Sequence, residues 1–107
     1  MKPVSASELS AWLANEDRTP PVLLDVREPW ETQICRIEGS ELVPMQTLPA
    51  RLHDLDPAHP IVCICHHGGR SAHVAMFLAH QGFKDVYNLT GGVDAWARQV
   101  DAAMPTY

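Results

Sequence analysis

Two short runs of apolar residues stand out along the chain, at residues 22–26 and 61–64. Each run follows a proline, and the first is interrupted only by Asp25 near its end. Such runs are typical of strands that are buried on both faces of a parallel sheet. Residues 41–44 and the alternating residues 85–89 predict two further strands. The pattern therefore predicts four strands spread along the chain.

Apolar residues at helical spacing predict five helices between and around these strands. Ser5 and Glu8 have the S-x-x-E spacing of a capping box just before the first helix. Thr47 is a candidate N-cap of the third helix, and Gly82 a candidate C-terminal stop of the fourth. The predicted helices cover residues 7–15, 27–36, 47–55, 71–81 and 93–100.

The tryptophans are expected to pack in the core. In the second predicted helix, Trp30, Ile34 and Ile37 follow one another at spacings of four and three, which predicts that they form its apolar face. Trp12 and Trp96 lie in the first and last helices. Trp30 has a second interpretation, as a residue that lines the mouth of a pocket.

The alternation of strands and helices with short links predicts an α/β fold. We expect a single domain over residues 1–107, with a mostly parallel central sheet and helices on both faces. In open sheets of this kind, ligands bind beyond the carboxyl ends of the strands. Asp25 and Arg27 lie at one such end and Cys65 lies at another, so these residues are candidates for a functional site.

Composition narrows the class of protein. With 46% hydrophobic and 20% charged residues, the 107-residue chain falls in the ordinary globular range. A net charge of −5 argues against a general nucleic-acid or membrane surface, and no stretch is long and apolar enough to span a bilayer. The N-terminus resembles no secretion signal, and three cysteines make an odd count. We therefore predict a cytoplasmic protein with reactive rather than paired thiols.

The strongest candidate for chemistry is the loop Cys65-His66-His67-Gly68-Gly69-Arg70-Ser71, between a predicted strand and a predicted helix. Its glycines let successive amide N–H groups converge, and the following helix adds its positive end. Together with Arg70, these groups favour a thiolate at Cys65 and would hold an anionic leaving group. The sequence therefore predicts a cysteine nucleophile acting on an anionic substrate.

Three segments in the same order make the chain similar to the rhodanese family of sulfurtransferases. They are residues 24–28 (Leu-Asp-Val-Arg-Glu), the loop 65–71, and residues 91–96 (Gly-Gly-Val-Asp-Ala-Trp). The resemblance implies a five-stranded sheet, and a reaction in which Cys65 takes sulfur from a donor such as thiosulfate and holds it as a persulfide. An acceptor, either cyanide, a small thiol or a protein sulfur carrier, would then remove the sulfur.

The same resemblance gives expected roles to the other site residues. Backbone N–H groups of His66, His67, Gly68, Gly69, Arg70 and Ser71 would cradle the persulfide. The side chains of Arg70 and Arg27 would attract the donor anion, and Asp25 would orient the loop or the neighbouring backbone. We expect no cofactor and a monomer or weak dimer.

The length of the loop argues against phosphate as the substrate. Phosphatases with a similar cysteine nest have five residues between cysteine and arginine, whereas four separate Cys65 from Arg70.

A departure from the rhodanese pattern lies at residues 36–40, where many relatives have His-Ile-x-Gly-Ala and this chain has Arg-Ile-Glu-Gly-Ser. This difference bears on the choice of donor or partner rather than on the fold.

Several alternatives stay open on the sequence alone. The protein could be a sulfur-relay module loaded by a partner protein, or a phosphatase or arsenate reductase that uses the same thiol. Cys63 is either a core residue or a redox partner of Cys65, Cys35 is expected to be half-buried in a helix, and Arg27 with Asp25 could be a surface ion pair. Cysteine and histidine at 63–67 could also bind a metal, but zinc sites have a second ligand pair that is absent here, so we expect no metal.

Overall fold

The computed structural model describes all 107 residues, with five strands, four α-helices and one 3₁₀ segment. The strands are β1 (Lys2–Val4), β2 (Val22–Asp25), β3 (Glu41–Leu42), β4 (Ile61–Ile64) and β5 (Val86–Leu89). The α-helices are α1 (Ala6–Ala14), α2 (Pro29–Ile34), α3 (Gly69–His80) and α4 (Gly92–Gln99), and the 3₁₀ segment covers Met45–Asp54. None of the helices combines the length and apolar character that crossing a bilayer requires.

The five strands form one parallel sheet in the order β1-β5-β4-β2-β3, so β4 lies at its centre. Alternate residues of β4 point to opposite faces, where Val62 and Ile64 pack under α1 and α4. Ile61 and Cys63 pack on the other face, under α3 and the 3₁₀ segment. The predicted α/β fold, with a parallel five-stranded sheet between helices, is confirmed.

The predicted ends of two helices are confirmed. The Ser5 hydroxyl accepts a hydrogen bond from the Glu8 N–H (3.0 Å), and the Glu8 carboxylate accepts one from the Ser5 N–H (2.9 Å), which is the expected capping box. Gly82 follows α3 with φ +92°, a backbone conformation that suits glycine.

One predicted helix was wrong in part, and one strand was missed. The segment predicted as a helix over 47–55 is a 3₁₀ segment that contains Pro49, which has no N–H for an α-helical bond. Thr47 does not cap it, since its hydroxyl donates to the carbonyl of Pro44 instead (2.8 Å). The strand Lys2–Val4 has too little apolar pattern to be recognised, and it is held by pairing with β5.

The apolar face predicted for α2 was wrong for two of its three residues, since only Ile37 is buried. Trp30 is 60% exposed and Ile34 is 36% exposed, whereas Glu31 is buried. The expectation that Trp30 packs in the core is therefore wrong, although Trp12 and Trp96 are buried as predicted. The orientation of α2 is set by Glu31, whose buried carboxylate accepts hydrogen bonds from Arg70 and Tyr107.

The two other cysteines lie in the interior. Cys63 is fully buried in the core, and burial raises its pKa to about 12, which does not suit a redox partner. Cys35, expected to be half-buried, is in fact buried just after α2. No disulfide links any of the three cysteines.

Candidate active site

Cys65 lies directly after the central strand, at the carboxyl edge of the sheet. Its Sγ accepts hydrogen bonds from the Gly68 N–H (3.1 Å) and from the Ser71 hydroxyl (3.2 Å), and the residue is only 1% exposed. Gly68 has φ +106°, and a Cβ there would press on the backbone of Leu89 and Gly91. A glycine at 68 therefore lets the loop turn back so that its N–H faces the sulfur.

The start of α4 holds the carbonyl groups of the loop. The Val93 N–H donates to the Cys65 carbonyl (2.9 Å), and the Asp94 N–H donates to the His66 carbonyl (3.1 Å). Gly92 lies against the same two carbonyls, and a Cβ at this position would overlap both of them. The two carbonyl oxygens, which would repel an anion, are thus bound to the first turn of α4.

Arg70 points to a buried carboxylate. Its two terminal nitrogens donate to the two carboxylate oxygens of Glu31 (2.7 and 2.8 Å), in a bidentate pair between α3 and α2. This pair lowers the pKa of Glu31 to about 2 and raises that of Arg70. Arg70 was expected to attract the donor as a cation, and in the structure its guanidinium is paired with the Glu31 carboxylate.

Arg27 and Asp25 form a fully buried pair behind the loop. The Asp25 carboxylate accepts hydrogen bonds from the Arg27 backbone N–H (3.1 Å), Nε (3.0 Å) and Nη2 (2.8 Å), and Arg27 Nη2 also donates to the Cys35 carbonyl (2.8 Å). Burial opposes the charge of Arg27, but these bonds leave its pKa raised. The interpretation as a surface pair was wrong, since both side chains are at most 1% exposed.

Tyr107 joins these two ion pairs to the loop. Its hydroxyl accepts a hydrogen bond from Arg27 Nη1 (2.9 Å) and donates one to Glu31 Oε1 (2.9 Å). Its ring stacks on that of His66, with 3.8 Å between the centroids and 6° between the planes. Burial is the main cause that raises the pKa of Tyr107 to about 12, so the hydroxyl keeps its proton.

The side chain of Asn88 reaches the loop from β5. Its Nδ2 donates to the Gly68 carbonyl (3.2 Å), and its Oδ1 accepts from the hydroxyl of Ser71, which is fully buried. Three residues of the site were not predicted from the sequence: Asn88, Glu31 and Tyr107. Only Asn88 gave a signal, as a polar residue within an apolar strand.

One family model matches most of the chain. The model described as "Rhodanese-like domain" matches residues 5–99. The chain belongs to the rhodanese family. The predicted resemblance is thereby confirmed, and the loop Cys65–Ser71 with its supports is the candidate active site of this rhodanese.

Curated relatives point to the same family. Thiosulfate sulfurtransferase GlpE of Pseudoalteromonas translucida is 35% identical over 80 residues, which cover 75% of this chain and 76% of GlpE. Rhodanese-like/PpiC domain-containing protein 12 of Arabidopsis thaliana, a chloroplastic protein, is 42% identical over 89 residues. The match covers 79% of this chain but only 30% of the Arabidopsis protein.

Solved structures of rhodanese relatives share the whole fold. A rhodanese-like domain protein from Staphylococcus aureus has a TM-score of 0.83 at 31% identity, with 100% of this chain and 99% of that chain covered. A rhodanese-related protein from Thermoplasma volcanium also has a TM-score of 0.83, at 27% identity and 94% coverage of both chains.

Other contacts occupy the three side chains that could together hold a metal ion at the start of the loop. His66, His67 and Asp94 could each bring one ligand atom to within 4.8 Å of the others. However, the two imidazole rings stack on each other, with 3.8 Å between their centroids and 27° between their planes. The Asp94 carboxylate is held by Arg98 (2.9 Å). Burial lowers the pKa of His66, which favours a neutral ring under Tyr107.

The structure thus divides the predicted site residues into three groups. Cys65, Gly68 and Ser71 are in direct contact around the sulfur. Gly69 and Arg70 begin α3, and the first N–H groups of a helix have no carbonyl partner within it. His66 and His67, which are also in the loop, stack on each other outside this contact, and Asp25 and Arg27 form the buried pair behind the loop.

Proposed function

We propose that this rhodanese transfers sulfane sulfur from thiosulfate or a similar donor to a thiophilic acceptor, through a persulfide on Cys65. The observation that carries the proposal is the set of hydrogen-bond donors around Cys65 Sγ, from the Gly68 N–H and the Ser71 hydroxyl. Two donors to one sulfur stabilise a thiolate relative to a thiol, because hydrogen bonds to charged groups are stronger than those to neutral ones.

The first half-reaction is a displacement at sulfur. The Cys65 thiolate attacks the outer sulfur of thiosulfate, a new S–S bond forms, and the old S–S bond breaks. Sulfite leaves with the electron pair of the broken bond, and the charge is then on the outer sulfur of the Cys65 persulfide. In the second half-reaction, cyanide or a thiolate attacks that outer sulfur, and the Cys65 thiolate is regenerated.

The charge on the outer sulfur is stabilised by backbone groups rather than by a free cation. The N–H groups at the start of α3, in Gly69, Arg70 and Ser71, are available to the persulfide and to the departing sulfite. The first turn of α4 binds the Cys65 and His66 carbonyl oxygens. The Arg70 side chain, held by Glu31, contributes mainly by fixing where α3 begins.

Mass spectrometry of the intact protein tests the proposal. Incubation with thiosulfate should add the mass of one sulfur atom, and cyanide should remove it. Cys65→Ser should abolish the adduct, and the matched control Cys63→Ala should retain it, because Cys63 is buried in the core within β4, just before the loop. No adduct on the wild-type protein, or an adduct that survives in Cys65→Ser, would refute the assignment.

Two other functions would give different results. A sulfur-relay module would load slowly from thiosulfate and quickly from a partner protein that carries a persulfide. A phosphatase or arsenate reductase would be protected from alkylation at Cys65 by vanadate or arsenate. We expect no such protection, because four residues between Cys65 and Arg70 leave a loop better sized for sulfur than for a phosphate.

A further inference from the structure

The Ser71 hydroxyl lies between two acceptors but has one hydrogen to donate. One acceptor is Cys65 Sγ, at 3.2 Å from Ser71 Oγ, and the other is Asn88 Oδ1. A serine hydroxyl donates one hydrogen bond at a time, although it can accept two. The two acceptors therefore compete for the same hydrogen.

The orientation of the Asn88 amide follows from its other contact. The amide nitrogen donates to the Gly68 carbonyl (3.2 Å), so the amide oxygen must face Ser71. Asn88 is 9% exposed and Ser71 is fully buried, so water does not readily replace either partner. An amide oxygen left without a donor at such a depth carries a free-energy cost.

We propose that Asn88 is a positioning residue that holds the Ser71 hydroxyl whenever the Cys65 sulfur is neutral, and competes with the thiolate for it. The inference rests on the proposed function, in which Cys65 alternates between a thiolate and a persulfide. In the thiolate, Ser71 donates to the sulfur, and Asn88 Oδ1 loses its donor. In the persulfide, the inner sulfur is neutral, and Ser71 returns to Asn88.

Asn88 therefore lowers the stability of the free thiolate, because it competes with the sulfur for the hydrogen of the Ser71 hydroxyl. Each time sulfur is loaded, the Asn88–Ser71 hydrogen bond is recovered, which favours the loaded state over the empty thiolate. The Asn88 amide nitrogen also donates to the Gly68 carbonyl, so the residue that competes for the Ser71 hydrogen also contacts the backbone of the loop. Asn88 affects the sulfur only through Ser71, and this dependence can be tested.

The other ionisable groups near Cys65 lie outside this exchange. Arg70 of α3 and Cys63 of β4 interact electrostatically with Cys65. The side chains of Asn88 and Ser71 form hydrogen bonds with neither of them. Further ionisable groups occur on the loop and on the elements beside it, and neither substitution below changes them: His66, His67, Glu31, Asp25, Arg27 and Asp94.

The test is a double-mutant cycle on the ionisation of Cys65. The ultraviolet absorbance of the thiolate is followed against pH for the wild-type protein and for Asn88→Ala, Ser71→Ala and the double variant. The curve of the matching Cys65→Ser protein is subtracted each time, which removes the signal of other groups. The measurement uses no sulfur donor and no sulfur acceptor. The role proposed for Asn88 can therefore be refuted while the proposed sulfur transfer stands.

We expect Asn88→Ala to lower the midpoint of thiolate formation by about 0.5–1 pH unit, because the neutral hydrogen bond between Ser71 and Asn88 no longer opposes ionisation. Ser71→Ala should raise the midpoint, and adding Asn88→Ala to Ser71→Ala should leave it unchanged. Asn88→Leu, which fills the space of the amide, should act like Asn88→Ala if the latter folds poorly. A midpoint that rises or stays constant in both Asn88 variants, or that shifts equally without Ser71, would overturn the proposal.

Discussion

Glu31 should make the stability of the protein depend on pH in acid. Its carboxylate is 4% exposed and accepts hydrogen bonds from both terminal nitrogens of Arg70, the Glu28 N–H and the Tyr107 hydroxyl. These bonds hold its pKa at about 2, below the ordinary value of 4.5. Because the pKa is lower in the folded state, the stabilisation is fully present above pH 4.5 and is lost as the pH falls towards 2.

The difference between 4.5 and about 2 corresponds to about 3 kcal/mol of folding free energy at pH 7. At pH 3 the unfolded chain binds a proton on Glu31 and the folded chain mostly does not, so about 2 kcal/mol of this stabilisation is already lost. Glu31→Gln cannot ionise and should lack this dependence. We therefore expect Glu31→Gln to be about 3 kcal/mol less stable than wild type at pH 7, and only about 1 kcal/mol less stable at pH 3.

Urea unfolding followed by circular dichroism at pH 7, 5, 4 and 3 would measure these differences. Glu38→Gln is the matched control, since it removes the same charge from an exposed residue that forms no ion pair. The prediction would be refuted by a difference in stability between wild type and Glu31→Gln that stays constant from pH 7 to pH 3. It would equally be refuted by an equal effect of Glu38→Gln.

Two further predictions concern the supports of the loop. Tyr107→Phe removes the hydroxyl between two charged groups and should lower the free energy of unfolding in urea by about 1–3 kcal/mol. Tyr107→Ala should lower it further, because it also removes the ring that stacks on His66, and equal losses in the two variants would count against the stacking. Gly92→Ala should abolish loading from thiosulfate in the intact-mass assay, because a Cβ would displace the Cys65 and His66 carbonyls. Gly39→Ala, also at positive φ but with open space around it, should still load.

The part of the site that could be predicted from sequence is the part that is local in the chain. A buried strand, a cysteine, two glycines and the start of a helix follow one another within residues 61–71, and each has its own local signature. The α/β fold followed in the same way from alternating strands and helices. The family resemblance added the fifth strand, which the apolar pattern alone did not show.

The supports were missed because their contacts join distant parts of the chain. Arg70 and Glu31 are 39 residues apart, and Tyr107 and Glu31 are 76 apart. Periodicity assigned the buried face of α2 to Trp30 and Ile34, because it treats a glutamate as a surface residue. A buried carboxylate with several donors is stable only in the presence of those donors, which the local pattern does not show.

The central place of β4 in the sheet has a consequence for motion. β1 and β3, at the edges, are three and two residues long, so their amide hydrogens should exchange through brief local opening. β4 has a hydrogen-bonded neighbour on each side and helices over both faces, and its amides should exchange only when the whole molecule unfolds. The backbone that leads into Cys65 therefore belongs to the slowest-opening part of the protein, whereas the two edge strands open more often.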